Sequence, residues 1–225
     1  TLVVNKITGV SNSERDFFLQ SSCFREYVET VKKNDGEILK VLLFNLKRTD
    51  QYLHSAVAEV TLKYYDGEIQ ARNVFFRGKS VIIIPFFMEA DTFSVLMVKQ
   101  NRIALGGISL EFPAGGIESN ESPRQAAKRE LEEETGISVC TDKLINLGNE
   151  FIICESAFSE TASWFAFLLD ERQVIRSQNR HLNHESNGEI INLAFVPFSE
   201  LLTLNTFQIH CGLSLLRDHL EKTNG

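Results

Sequence analysis

Three glutamates near the middle of the chain, Glu130, Glu133 and Glu134, stand at a spacing that could bring their carboxylates together. In a helix that turns about 100° per residue, Glu134 lies about 40° and Glu133 about −60° from Glu130. A solvated acidic surface is the ordinary alternative, but acids in the last turns of a helix oppose its dipole. Carboxylates without accompanying His or Cys suit a hard divalent cation, Mg²⁺ or Mn²⁺. The spacing therefore predicts a cation-binding face.

The helix that carries these acids has clear start and stop signals. Ser122 is a favoured N-cap residue, Pro123 suits the first helical position, and Gln125 completes a capping box. Gly136 suits the position just beyond the last turn. The sequence therefore predicts a helix from about residue 123 to 135.

The surrounding residues extend the pattern on both sides of this helix. Residues 115–137 read GGIESNESPRQAAKRELEEETGI. This segment resembles the Nudix box, G-x5-E-x7-R-E-U-x-E-E-x-G-U with U apolar, at every specified position. The resemblance implies a hydrolase whose loop–helix–loop holds divalent cations against a pyrophosphate.

The resemblance also implies roles for individual residues. The implied metal ligands are the carbonyl of Ala114 and the carboxylates of Glu130, Glu133 and Glu134. Glu133 and Glu134 are also implied catalytic residues. Arg129 would orient a glutamate, and Glu121 would be a helper near the metal or a structural acid. Gly115 and Gly116 would let the loop approach a phosphate closely.

Two further motifs are similar to the ADP-ribose and ADP-sugar diphosphatase branch of this family, which shows VxQxR and then LExPAG. Here residues 98–102 read VKQNR and residues 110–116 read LEFPAGG. The similarity implies that Arg102 and Arg77 contact phosphate or ribose, with ordinary surface arginines as the alternative. It also implies Glu189 as the catalytic base, and Glu185 is the neighbouring alternative.

One segment departs from that branch, which usually carries a Pro-Gly pair in a loop after the box. Residues 155–160 read ESAFSE, so the proline is missing. Glu160 still matches the acid that follows the pair and is an implied substrate-binding residue. Phe158 is expected to reshape the sugar end of the pocket, so the preferred sugar stays open.

Composition limits the function classes. The chain has 225 residues, 43% of them hydrophobic, and a formal net charge of −7. A strongly basic nucleic-acid binder is disfavoured, and the apolar runs are too short to span a membrane. The four cysteines lie far apart with no C-x-x-C pair, so a cysteine zinc site is not expected. The chain begins at Thr1, and we leave the compartment open between the cytoplasm and an organelle such as the mitochondrion or plastid.

Hydrophobic periodicity and turn signals predict an α+β protein. We expect a Nudix fold, a mixed β-sheet sandwiched by helices, with an N-terminal β-rich unit. The predicted domains are residues 1–78, for dimerisation and base binding, and the hydrolase domain, 79–225. The predicted elements are a polar arm over 1–20, a helix near 22–33, a hairpin from 57–65 and 68–76, strands at 80–88, 93–99, 149–154, 162–169 and 190–196, and a helix over 207–220. Segment 171–188 is predicted to be a loop, and Ser199 to cap a short helix.

Three hypotheses follow. The leading one is a Mg²⁺-dependent hydrolase that cleaves an ADP-sugar or ADP-ribose to AMP and a sugar phosphate. The family resemblance further implies a homodimer, with an aromatic residue of the N-terminal unit stacking on adenine; the candidates are Tyr64, Tyr65, Phe75 and Phe76. The second is a pyrophosphohydrolase of RNA 5′ ends, working with an RNA-binding partner and a basic stripe of Arg172, Arg176 and Arg180. The third is a catalytically silent ligand sensor or scaffold.

Overall fold

A computed structural model describes residues 7–8, 10–49, 52–90, 92–148, 150–178, 181–184 and 189–224. Side chains are described throughout these ranges except at 7–8, 178, 181–184, 189–191 and 224. The strands are β1 Ile7–Thr8, β2 Glu37–Arg48, β3 Leu53–Lys63, β4 Ile69–Phe76, β5 Ser80–Glu89, β6 Thr92–Arg102, β7 Gly107–Glu111, β8 Ala114–Gly116, β9 Ile145–Asn146, β10 Phe151–Ile152, β11 Thr161–Leu168, β12 His181–His184 and β13 Glu189–Pro197. The helices are α1 Asn12–Gln20, α2 Ser22–Lys33, α3 Pro123–Thr135, α4 Glu171–Gln178, α5 Phe198–Leu201 and α6 Phe207–Asn224.

The chain divides into two compact units. The first unit comprises Thr1–Lys79, Glu118–Asn120 and Phe151–Ala162. The second unit comprises Ser80–Ile117, Glu121–Glu150 and Ser163–Gly225. Whether the first unit serves dimerisation and base binding, with a domain boundary after residue 78, stays a prediction.

The first unit is a four-stranded sheet, in the order β1-β2-β3-β4, with α1 and α2 against it. The predicted hairpin is confirmed, since β3 and β4 pair antiparallel around the turn. Helix α2 is confirmed at the predicted bounds. The prediction of a polar arm over 1–20 is wrong for its second half. Helix α1 forms there, and a capping box of Ser11 and Glu14 stabilises its start. Its single buried side chain, Phe18, packs on the Phe24 and Phe76 rings, and one buried residue gives no periodicity in sequence.

The second unit is built on a sheet in which β11, β5, β6, β13 and β12 follow one another. Strand β7 pairs with β6, and β8 pairs with β5. Helix α3 packs on this sheet through a buried apolar cluster that includes Val81, Ile83, Leu96, Ala126, Ala127 and Leu131. The fold is thus α+β, as predicted. Within the residues described, no helix has the length and apolar character needed to cross a membrane.

Three local predictions in the rest of the chain are wrong. Segment 171–188 contains α4 and β12 in its described part. Helix α4 begins where Asp170 and Gln173 exchange hydrogen bonds, and its Val174 packs on the core. The strand predicted at 149–154 is only Phe151–Ile152. Ser199 lies inside α5, whose N-cap is Pro197, so it caps nothing.

Candidate active site

Helix α3 is the platform of the candidate site, and it has the predicted bounds. The Ser122 hydroxyl accepts a hydrogen bond from the Gln125 amide at 3.3 Å, and the Gln125 side chain accepts one from the Ser122 amide at 2.8 Å. Gly136 ends the helix in the left-handed conformation, at φ 68°, which glycine adopts without strain. Since Leu131 and Thr135 are buried, the rotation of the helix about its axis is fixed.

Strand β8 lies against the acidic face of this helix. A Cβ placed on Gly115 would lie 2.0 Å from the Glu130 carboxylate, closer than any real contact allows. The Ala114 amide donates a hydrogen bond of 3.0 Å to Glu134 Oε2. Glycine at position 115 therefore leaves the Glu130 carboxylate where it lies, because any larger residue would displace it.

Arg129 connects most of the acids of the motif. Its Nε and Nη2 donate to the two oxygens of Glu121, at 3.0 and 2.9 Å, and Nη2 also donates to the Gly116 carbonyl at 2.8 Å. Its Nη1 donates to Glu130 at 2.7 Å and to Glu133 at 3.3 Å. The Arg129 side chain is only 24% exposed, so these contacts lie in a partly desolvated environment. Arg129 thus connects α3 to Glu121 and to the Gly116 carbonyl, in the segment that precedes the helix.

The Glu130 and Glu134 carboxylates lie in largely buried surroundings that disfavour their ionised forms. Burial raises the pKa of Glu134 to about 8. Burial also raises the pKa of Glu130, against the opposing effect of the hydrogen bond from Arg129. A carboxyl group whose ionised form is disfavoured by burial gains from a nearby cation.

The donor set therefore fits a hard divalent cation by chemical type and by burial. Among the residues that the structure describes, no three Asp, Glu, His or Cys side chains are grouped closely enough to hold an ion as they stand. Three of the acids on or near α3 are turned towards Arg129, and Glu134 is turned towards Ala114. Binding would thus require side-chain rotation on a fixed helix.

Arg102 lies at the end of β6 and makes a bidentate pair with Glu111 of β7. Its Nε and Nη2 donate to the two carboxylate oxygens, at 2.9 and 2.6 Å. Burial raises the pKa of Glu111, but hydrogen bonds from Arg102 and Ser109 outweigh it, so the pKa lies below its ordinary value. No role was predicted for Glu111 from the sequence, and it is the antiparallel pairing of β6 with β7 that brings it near Arg102.

The other implied substrate-binding residues, Arg77 and Glu160, form an ion pair within the first unit. Arg77 Nη1 lies 3.4 Å from Glu160 Oε2, and Glu160 is only 7% exposed. Two residues before each of them, the rings of Phe75 and Phe158 stack at a centroid distance of 5.1 Å. No local sequence pattern predicts this stack, because its two rings come from distant segments of the chain.

The four aromatic residues predicted as base-stacking candidates differ in exposure. Tyr64 and Tyr65 are exposed and Phe75 is partly exposed, so all three can still contact a ligand. Phe76 is fully buried in the core of the first unit, so its assignment as a base-stacking residue is wrong.

The candidate catalytic base cannot be placed from the described residues. Glu189 begins β13, but its side chain lies outside the described residues, and Glu185 lies outside them entirely. Arg172 and Arg176 are exposed on α4, and Arg180 is also outside the described residues.

Comparison with protein families and known proteins identifies the family of this chain. The family model described as NUDIX domain matches residues 76–211. The chain is 35% identical over 156 residues to the ADP-ribose pyrophosphatase of Bacillus subtilis, covering 69% of this chain and 76% of that protein. The chain therefore belongs to the Nudix family of hydrolases.

Other similarities are shorter or weaker. A segment of 64 residues is 64% identical to mouse ADP-sugar pyrophosphatase, spanning 27% of this chain and only 29% of that protein. Over 222 residues the chain is 25% identical to Nudix hydrolase 14, chloroplastic, of Arabidopsis thaliana, covering 89% of this chain and 71% of that protein. A crystal structure of ADP compounds hydrolase superimposes with a TM-score of 0.57 at 20% identity, covering 82% of this chain and 96% of that chain, and this likeness shows the fold.

Proposed function

We propose that this protein hydrolyses the pyrophosphate bond of ADP-ribose or another ADP-sugar, releasing AMP and a sugar phosphate. The observation that carries the proposal is the acidic face of α3, which lies so close to Gly115 that an added Cβ would be 2.0 Å from the Glu130 carboxylate. The names of the mouse and Bacillus subtilis relatives support this class of substrate.

The proposed metal site consists of the Ala114 carbonyl and the carboxylates of Glu130, Glu133 and Glu134, and it would hold Mg²⁺ or Mn²⁺. When bound, such an ion neutralises pyrophosphate charge and makes a water molecule acidic enough to attack phosphorus. Burial of Glu130 and Glu134 supports the assignment, because a cation offsets the unfavourable desolvation of their charges.

The other residues are proposed to bind and orient the substrate. Gly115 and Gly116 bring the backbone of the loop close to a phosphate. Arg102, whose guanidinium is fixed by Glu111, stabilises negative charge on the pyrophosphate. Arg77 and Glu160 contact the phosphate and ribose portion, and Glu189 accepts the proton of the attacking water.

We also propose that the active species is a homodimer, on the strength of the resemblance to the ADP-sugar branch. Light scattering after size exclusion tests this directly. A mass near twice 25.5 kDa supports it, and a mass near 25.5 kDa contradicts it.

The function is tested by incubating the protein with Mg²⁺ and one substrate at a time: ADP-ribose, ADP-glucose or a short 5′-triphosphorylated RNA. We expect AMP and a sugar phosphate from at least one ADP-sugar and no change in the RNA. Glu134→Gln should abolish turnover, whereas Glu132→Gln should not. Glu132 is the matched control because it is exposed and lies on the same helix.

The other outcomes separate the alternatives. Phosphate or pyrophosphate release from the RNA, with both ADP-sugars intact, would favour RNA 5′-end processing. Binding of ADP-ribose in calorimetry without turnover of any substrate would favour a sensor or scaffold.

A further inference from the structure

The loop that lacks the Pro-Gly pair is fastened to the end of β4 by backbone hydrogen bonds. The Phe75 amide donates to the Ala157 carbonyl at 2.7 Å, and the Ser159 amide donates to the Phe75 carbonyl at 3.1 Å. These two bonds make Phe75 and Phe158 opposite residues of a short parallel bridge. The Ile153 amide closes the loop by donating to the Glu160 carbonyl at 3.1 Å.

The side chains on this bridge form two successive pairs. The Phe75 and Phe158 rings lie only 17° from parallel, with 5.1 Å between their centroids. Both segments run in the same direction, so two residues further on the opposite pair is Arg77 and Glu160. The ring stack and the ion pair therefore join the same two segments, two residues apart along each.

The ion pair by itself is a weak anchor for the loop. Arg77 is 53% exposed, and its contact with Glu160 is a single one at 3.4 Å. Water screens a half-exposed guanidinium, and holding its long side chain against Glu160 costs conformational freedom, so one long contact adds little. Stacked aromatic rings contribute through both buried area and ring geometry. The stack, rather than the ion pair, should therefore fix where this loop lies.

We infer that Phe158 and Phe75 are positioning residues that hold Glu160 and Arg77 for substrate binding, in place of the missing Pro-Gly pair. This inference rests on the proposed function, because it takes Arg77 and Glu160 as substrate-binding residues. Neither ring needs to touch the substrate. Their effect is on the loop, so it should alter substrate binding more than the chemical step.

The experiment compares hydrogen exchange and kinetics of Phe158→Ala, Phe158→Tyr and the wild-type protein. We expect Phe158→Ala to accelerate exchange of the Ser159 and Phe75 amides by about tenfold, because the stack that protects their bonds is lost. The KM for ADP-ribose should rise about fivefold while kcat changes less than about twofold. Phe158→Tyr keeps the ring and should restore both quantities.

Phe44→Ala is the matched control, since Phe44 is an exposed phenylalanine on β2 of the same sheet. It should change neither the exchange of Ser159 nor the KM. Unchanged exchange of the Ser159 and Phe75 amides in Phe158→Ala overturns the inference, whatever the activity.

Kinetics of Arg77→Ala distinguish failure of the inference from failure of the proposed function. If Arg77→Ala raises the KM and Phe158→Ala does not, the positioning role is overturned and the substrate role of Arg77 stands. If neither variant alters the KM, the role assigned to Arg77 falls together with the inference built on it.

Discussion

Arg129 and Arg77 both face carboxylates, but they do so in different ways. Arg129 in the second unit is 24% exposed and donates to three glutamates and a backbone carbonyl. Arg77 in the first unit is 53% exposed and makes one contact with Glu160 at 3.4 Å. The first arrangement is a network in which the arginine holds loop and helix together. In the second, we infer that the stack of Phe75 and Phe158 holds the loop that carries Glu160. Similar ion pairs can therefore contribute differently to the stability of the two regions.

The largest expected effect tests the acidic face that Arg129 borders. Glu134→Gln should lower the turnover of ADP-ribose by about a thousandfold, because a neutral amide is a poor ligand for a divalent cation. The thermal midpoint should stay the same or rise, since Gln removes a buried carboxyl group whose ionised form burial disfavours. Kinetics and calorimetry on the same sample check both. Loss of activity through unfolding would contradict the assignment.

The Arg129 network itself should be important for stability. Arg129→Met removes the cation from Glu121 and Glu130 and should destabilise the fold by about 3 kcal/mol, the scale for breaking a buried ion pair. Urea denaturation measures this loss. The matched control is Arg217→Met, whose pair with Glu221 is exposed, and it should change stability by less than about 0.5 kcal/mol.

Filling the narrow space between β8 and α3 with a methyl group should lower activity more than stability. In Gly115→Ala the new methyl group meets the Glu130 carboxylate, which is the flexible end of a side chain and can swing away. We expect turnover to fall about a hundredfold and stability to change by less than about 1 kcal/mol. Gly107→Ala, where nothing lies within 4 Å of the added methyl, is the control and should keep its activity.

The smallest expected effect is on the Arg77 side of the comparison. Arg77→Met should change stability by less than about 1 kcal/mol, because the Arg77 side chain is 53% exposed and its contact with Glu160 is long, at 3.4 Å. Under the proposed function it should raise the KM for ADP-ribose, with kcat nearly unchanged. A destabilisation as large as that of Arg129→Met would mean that the two arginines do not differ as described.

Local sequence determined the platform of the site. The capping box, Pro123 and Gly136 predicted both ends of α3 correctly, because the interactions that start and stop a helix lie within a few residues of each end. The spacing of Glu130, Glu133 and Glu134 within this helix then fixed which face they share. The resemblance that these residues carry was sufficient to identify the family.

Only the tertiary structure decided which partner each charged side chain takes. The pairing of Arg102 with Glu111 depends on a hairpin register, and that of Arg77 with Glu160 depends on segments about eighty residues apart. Helix α1 lies where a polar arm was predicted. Its one buried residue, Phe18, packs on Phe24 and Phe76 of other elements, so no periodic pattern within α1 indicated the helix. Sequence patterns report periodic burial and local capping, whereas contacts between distant segments exist only once the chain has packed.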